Sequence, residues 1–215
     1  MSRALASRSS AWYRESWGSA LSAVAIVLAG SLIIGGLTSL GQQYLPEWVK
    51  SLSNSAGGWT MFSFLLVWAS RARPLLGIVL GIVAFESLNE GYGVVSGWRG
   101  FSYGAPFSTS WTLVGLAAGP LLGLAASLVR HGRSDWRLLG VTPLSAVLLG
   151  EGVWALATII DTTSPVYWTT EVVLSALFMT VALVRRRPAP RMAATAVAVW
   201  LIGAASFWAL IRFVL

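Results

Sequence analysis

The chain contains no cysteine, and only 11% of its 215 residues are charged. The first absence excludes a disulfide framework and any thiolate metal site. The second argues against a water-facing globule, because soluble domains carry about 25% charged residues. Histidine occurs once, as His131 in a loop between Arg130 and Arg133. A Ser-His or His-Glu-x-x-His arrangement inside a membrane is therefore excluded. There is no P-loop and no G-x-G-x-x-G, so no recognisable motif for nucleotide hydrolysis is present.

What is present is apolar. Hydrophobic residues make up 56% of the chain and mean hydropathy is +0.71. The net charge of +7 would suggest nucleic acid in a soluble protein. Here the arginines fall in short loops between apolar runs, so membrane topology accounts for them and no nucleic-acid partner is expected.

A hydrocarbon core about 30 Å thick needs about 20 apolar residues in helix. By that rule the sequence predicts an all-α transmembrane bundle of seven spans, at 18–41, 56–70, 74–95, 108–130, 138–160, 165–184 and 190–214. The second is short. It extends back through Asn54 and Ser55, is tilted, or is re-entrant, and the last case leaves six spans. Arg3, Arg8 and Arg14 precede the first span, while Arg71/Arg73, Arg130/Arg133/Arg137 and Arg185–Arg187/Arg191 follow the second, fourth and sixth. The positive-inside rule puts the N-terminus in the cytoplasm and the C-terminus outside. Residues 1–17 read as a cytoplasmic segment and 18–215 as one membrane domain, in a multi-pass protein of the cell membrane. The first apolar run is too long for a signal-peptide core and reads as a retained span. Pro74, Pro143, Pro165, Pro188 and Pro190 mark span starts, which leaves Pro120 as the proline inside a span.

Four of the eight acids fall within spans: Glu86, Glu90, Glu151 and Glu171. In the stretch "AFESLNEGYG", Glu86, Asn89 and Glu90 make one polar stripe. A charge at a helix centre costs on the order of 2.5–3.5 kcal/mol, so such acids are protonated, line a wet cavity, or hold a cation. The topology puts all four in the outer half of the bilayer. Trp154 lies three residues from Glu151, and Trp168 three from Glu171, so each pair shares a helix face. Carboxylates among aromatic faces suit an organic cation. The competing reading is polar glue between helices plus an aromatic belt.

Gly115, Gly119, Gly123 and Ser127 form a small-residue stripe for close helix approach, with shorter versions at Gly77/Gly81 and Ala25/Ala29. Packing within the bundle is the default use and docking of a second membrane protein the alternative. Trp59-Thr60, Trp111-Thr112 and Trp168-Thr169 each open a descending span, which is either a trace of a repeated hairpin or ordinary interfacial tryptophan.

The segments "GGLTSLGQQYLP", "NSAGGWTMFSF", "WTLVGLAAGPLLG" and "LLGEGVWAL" together resemble a family of actinobacterial integral membrane proteins of unknown function. The resemblance spans about residues 30–184 and implies a polytopic fold but no activity. Its recurring positions would include Gln42, Pro46, Asn54, Trp59, Gly119, Pro120 and Glu151. In size and architecture alone, the chain is also similar to the six-span substrate-binding subunits of energy-coupling-factor vitamin transporters, from which seven spans would be a departure.

The leading expectation is a non-enzymatic protein that binds or transports a small, cationic solute. Its outward pocket would use Glu86, Asn89, Glu90, Glu151, Trp154, Trp168, Glu171, Gln42, Asn54 and Trp59. The alternatives are an accessory or scaffold subunit and an intramembrane lipid enzyme with paired carboxylates. Expected partners are the bilayer, the solute and, on the scaffold reading, another membrane protein. No cofactor is expected, and no spacing specifies a metal.

Overall fold

A computed structural model describes residues 15–214. Arg3, Arg8, Arg14 and most of the 1–17 segment lie outside the described residues. Within them the chain forms seven α-helices: α1 Trp17–Tyr44, α2 Ala56–Ser70, α3 Pro74–Trp98, α4 Ser110–His131, α5 Ser134–Thr158, α6 Pro165–Arg186 and α7 Pro190–Val214. A short 3-10 helix, Lys50–Asn54, precedes α2. Six of the seven are long and apolar enough to cross a membrane; α2, with 15 residues, is shorter. The protein is a polytopic helical bundle.

Helix starts and stops follow local chemistry. Pro74 and Pro165 sit at the first helical position, where a missing N–H is harmless. Ser16, Ser55 and Ser164 cap α1, α2 and α6 by accepting backbone N–H groups. Ser55 thus stops α2 rather than extending it, and the backward extension of this span through Asn54 is corrected. Arg71 and Arg187 end α2 and α6 in the left-handed region, at φ 63° and 45°. The fifth helix begins at Ser134, earlier than its expected start. Pro143 therefore lies inside α5, and Pro120 is not the sole proline within a span.

The packing is antiparallel between α3 and α4, with Gly77 against Ser127, Gly81 against Gly119 and Glu86 against Gly115. A Cβ on Gly119 would lie 2.8 Å from the Ile82 backbone, so these helices touch main chain to main chain. The Gly115, Gly119, Gly123 stripe is consumed inside the bundle. Helices α1 and α3 run side by side in the same direction, with Ser39 on Ser96 and Gly36 on Val95. The buried small stripe of α1 is Ala23, Val27, Ser31, Gly35 and Ser39, whereas Ala25 and Ala29 face outward. That overturns their assignment to packing.

Helix α2 is central. It packs against α1, α3, α4 and α5, and its Phe64 and Val67 enter a core with Val27, Leu80, Ala126 and Leu148. Helix α7 packs chiefly on α5 and is the least enclosed of the spans. At one end of the bundle Arg130 donates to the Trp68 carbonyl at 3.3 Å, and His131 meets the Arg71 carbonyl at 2.9 Å. The positive-inside rule would turn this arginine-rich end toward the cytoplasm.

Candidate functional site

The short second helix begins inside the bundle. Its N-terminus meets Glu151, seven residues before the end of α5, and Glu171, six residues after the start of α6. At a rise of about 1.5 Å per residue, that places it about 10 Å below the outer helix ends. Backbone N–H groups at such a depth must find protein partners. Glu151 supplies them: one carboxylate oxygen accepts Ala56 N–H at 2.9 Å and the other accepts Gly57 N–H. Ser55 Oγ accepts the Gly58 N–H at 2.7 Å. A carboxylate at a helix N-terminus is also favoured by the helix dipole.

Glu171 lies beside it. Its Oε1 accepts from Tyr167 Oη at 2.7 Å and from Ser55 Oγ at 3.0 Å. Its Oε2 is buried without a partner among the described residues. Glu151 is 5% exposed and Glu171 2% exposed. Gly57 is the space they occupy, since a Cβ there would collide with both carboxylates.

A second acidic cluster lies on α3. Glu86 is 8% exposed, and both of its oxygens are buried with no hydrogen-bond partner among the described residues. The hydroxyl of Thr112 on α4 is buried beside the Glu86 carboxylate without forming a well-aligned hydrogen bond, and the indole N–H of Trp59 on α2 is buried and unpartnered among the described residues. Trp59 sits at the centre of the aromatic set, 5.7 Å from the Tyr92 ring, 5.8 Å from Trp111 and 6.3 Å from Phe85.

The segment joining α3 to α4 folds over this cluster. Asn89 donates to Thr109 Oγ1 at 2.9 Å and accepts from Tyr103 Oη at 2.6 Å. Glu90 accepts the Phe107 backbone N–H at 2.8 Å, where Phe107 turns through φ 55°. Burial, with the Glu90 carboxylate adding, pushes the Tyr103 phenol up from its ordinary value.

The structure thus brings the named acids together as two pairs. Glu151 and Glu171 meet at the α2 N-terminus; Asn89 and Glu90 hold the covering segment, and Glu86, on the same helix, lies against Gly115 of α4. Trp59, one turn into α2, connects the two regions. Gln42 accepts from Tyr92 Oη at 3.0 Å and so supports the aromatic wall. Trp168 is buried, with its indole donating to Thr163 at 2.8 Å, and Trp154 is half-buried in the same outer cluster. Asn54 is exposed at the end of the 3-10 helix, next in sequence to Ser55. Arg99, the cation nearest in sequence to Glu90, turns instead to α1, donating to the Ser39 carbonyl and to Gln43.

Ser55, Thr109 and Thr112 complete the site without any sequence signal, together with Tyr92, Tyr103 and Tyr167, whose sequence positions put them toward the outer side without pairing them with a particular acid. Only Tyr167–Glu171 carries a local signal, its spacing of four. Among the described residues no three metal-ligating side chains converge.

Neither a curated protein nor a solved structure matches the chain. The architectural likeness to vitamin-transporter subunits is therefore unsupported. A family model does match, over residues 14–213, nearly the whole length and wider than the segments that carried the resemblance. The chain belongs to DUF6518, a family of unknown function.

Proposed function

We propose that this protein binds, and by extension moves, a small organic cation from the outer side of the cell membrane. The carrying observation is Glu86. Its carboxylate is buried beside Gly115 and the Thr112 hydroxyl of α4, with no well-formed hydrogen bond to either oxygen, and the adjoining Phe85 ring meets Trp59 of the aromatic set. Buried polar groups in native proteins are nearly always hydrogen-bonded, so an unpartnered carboxylate calls for a ligand or a proton. A cation resting on ring faces beside a carboxylate gains from both, about 0.5–2 kcal/mol from each ring. Tyr103 and Thr109 cover the cluster from the outer side through Asn89.

The test uses the full chain in detergent. Tetramethylammonium, choline and short alkylamines are added and thermal unfolding is followed. At least one raises the midpoint in the wild type, and Glu86→Gln removes the shift. No shift with any of them, or an equal shift in Glu86→Gln, overturns the proposal.

The accessory-subunit reading rests on one observation: Glu151 is fully engaged in capping α2, so at least one membrane-embedded acid has a structural task. If Glu86→Gln changes stability alone and no cation acts, Glu86 belongs with Glu151 as a structural group. The buried glycine stripe is not a free face for a partner in either reading.

A further inference from the structure

A groove of about 300 Å³ opens at the arginine-rich end, between α2, α4, α5 and α6. Its walls are apolar: Phe64, Leu65 and Trp68 from α2, Val141 and Leu144 from α5, and Phe178 and Val181 from α6. Its rim carries Arg137, Arg185 and Arg186, and no acidic side chain lines it. Arg137 donates through Nε to the Gly132 carbonyl at 2.7 Å, which fixes the guanidinium at the mouth. Arg185 and Arg186 are exposed and, among the described residues, form no ion pair.

We infer that this groove is a binding site for an anionic phospholipid of the cytoplasmic leaflet. One acyl chain lies along the Phe64–Phe178 wall and the headgroup phosphate meets the three arginines. The position supports this occupant. The arginine end is where the positive-inside rule puts the inner headgroup layer. An apolar slot that opens into that layer is reached by lipid before any soluble molecule. Basic pockets between helices at this depth favour anionic headgroups, at about 1 kcal/mol per cation near the surface. Guanidinium also matches phosphate in a two-pronged geometry. The site is independent of the Glu86 cluster, which lies toward the opposite end.

Delipidated full-length protein is titrated with phosphatidylglycerol and, separately, phosphatidylcholine, and bound lipid is counted by native mass spectrometry. Phosphatidylglycerol is retained more tightly. Arg185→Gln with Arg186→Gln weakens it about thirtyfold, the effect of two surface charges. Arg187→Gln with Arg191→Gln removes the same charge at the same end outside the groove and leaves retention near wild type. Val181→Trp fills the slot without changing charge and also weakens retention. Equal retention of the two lipids, or equal loss in both arginine pairs, overturns the inference. So does full competition by inorganic phosphate at the concentration of lipid phosphate, which would make the site one for a free anion.

Discussion

Glu151 accepts the backbone N–H of Gly57 across 94 positions of sequence, so a side chain of the fifth helix caps the second. Without that carboxylate, two N–H groups of α2 face a dry interior. Glu151→Ala should cost about 2–6 kcal/mol, since each of the two buried unsatisfied groups costs about 1–3 kcal/mol. Glu151→Gln keeps one acceptor and should lose about half as much. Denaturant unfolding in detergent checks the ranking; equal stability of wild type and Glu151→Ala would remove the cap from the account.

The carboxylates of Glu151 and Glu171 fill the space beside Gly57. Gly57→Ala should therefore destabilise by about 1–3 kcal/mol, the usual cost of overpacking. Ala is a better helix former than Gly by about 1 kcal/mol. A gain in melting temperature would mean that propensity outweighs the clash and that the carboxylates yield.

Gly81 meets the Gly119 backbone, which cannot move aside as a flexible side chain can. Gly81→Ala should lower stability, and Gly119→Leu should prevent recovery of folded protein. Gly97, with open space beside its Cα, provides the contrast. Gly97→Ala should be neutral or slightly stabilising by the same unfolding measurement.

Tyr103 holds the covering segment to Asn89 through its hydroxyl. Tyr103→Phe removes that hydrogen bond and keeps the ring against Gly93. Labelling of Glu86 by a hydrophilic carbodiimide, mapped by peptide mass, should then quicken severalfold. An unchanged rate would show that the segment does not limit access.

The absence of cysteine makes orientation easy to test with single introduced thiols. Ser51→Cys and Ser102→Cys should react with an impermeant maleimide on intact cells. Ser134→Cys and Ala189→Cys should react only after permeabilisation. The reverse pattern would invert the topology.

The helices were legible because each is an apolar run closed by arginine, proline or serine, and length alone separates spans from loops. The stripe on α1 was misread for a physical reason. In a bilayer both the lipid-facing and the bundle-facing sides of a helix are apolar, so Ala25 and Ala29 look like Ala23 and Val27. The glutamates were found because a carboxylate in hydrocarbon stands out against its neighbours. Their partners were not, because Glu151 meets Gly57 only through the tertiary fold. Trp59 and Trp168 were open to an interfacial reading, yet each is buried, at 5% and 3% exposure. Sequence gives a tryptophan's depth along a helix but not the direction in which it points.

The brevity of α2 also bears on how the protein is made. A 15-residue helix spans about 22 Å, less than the hydrocarbon thickness. Its first N–H groups are answered by a side chain that the ribosome delivers 94 residues later. Until α5 has entered the bilayer, no partner from α5 exists for that end, and lipid offers none. A chain truncated before Glu151 should therefore leave the outer end of α2 without its α5 cap.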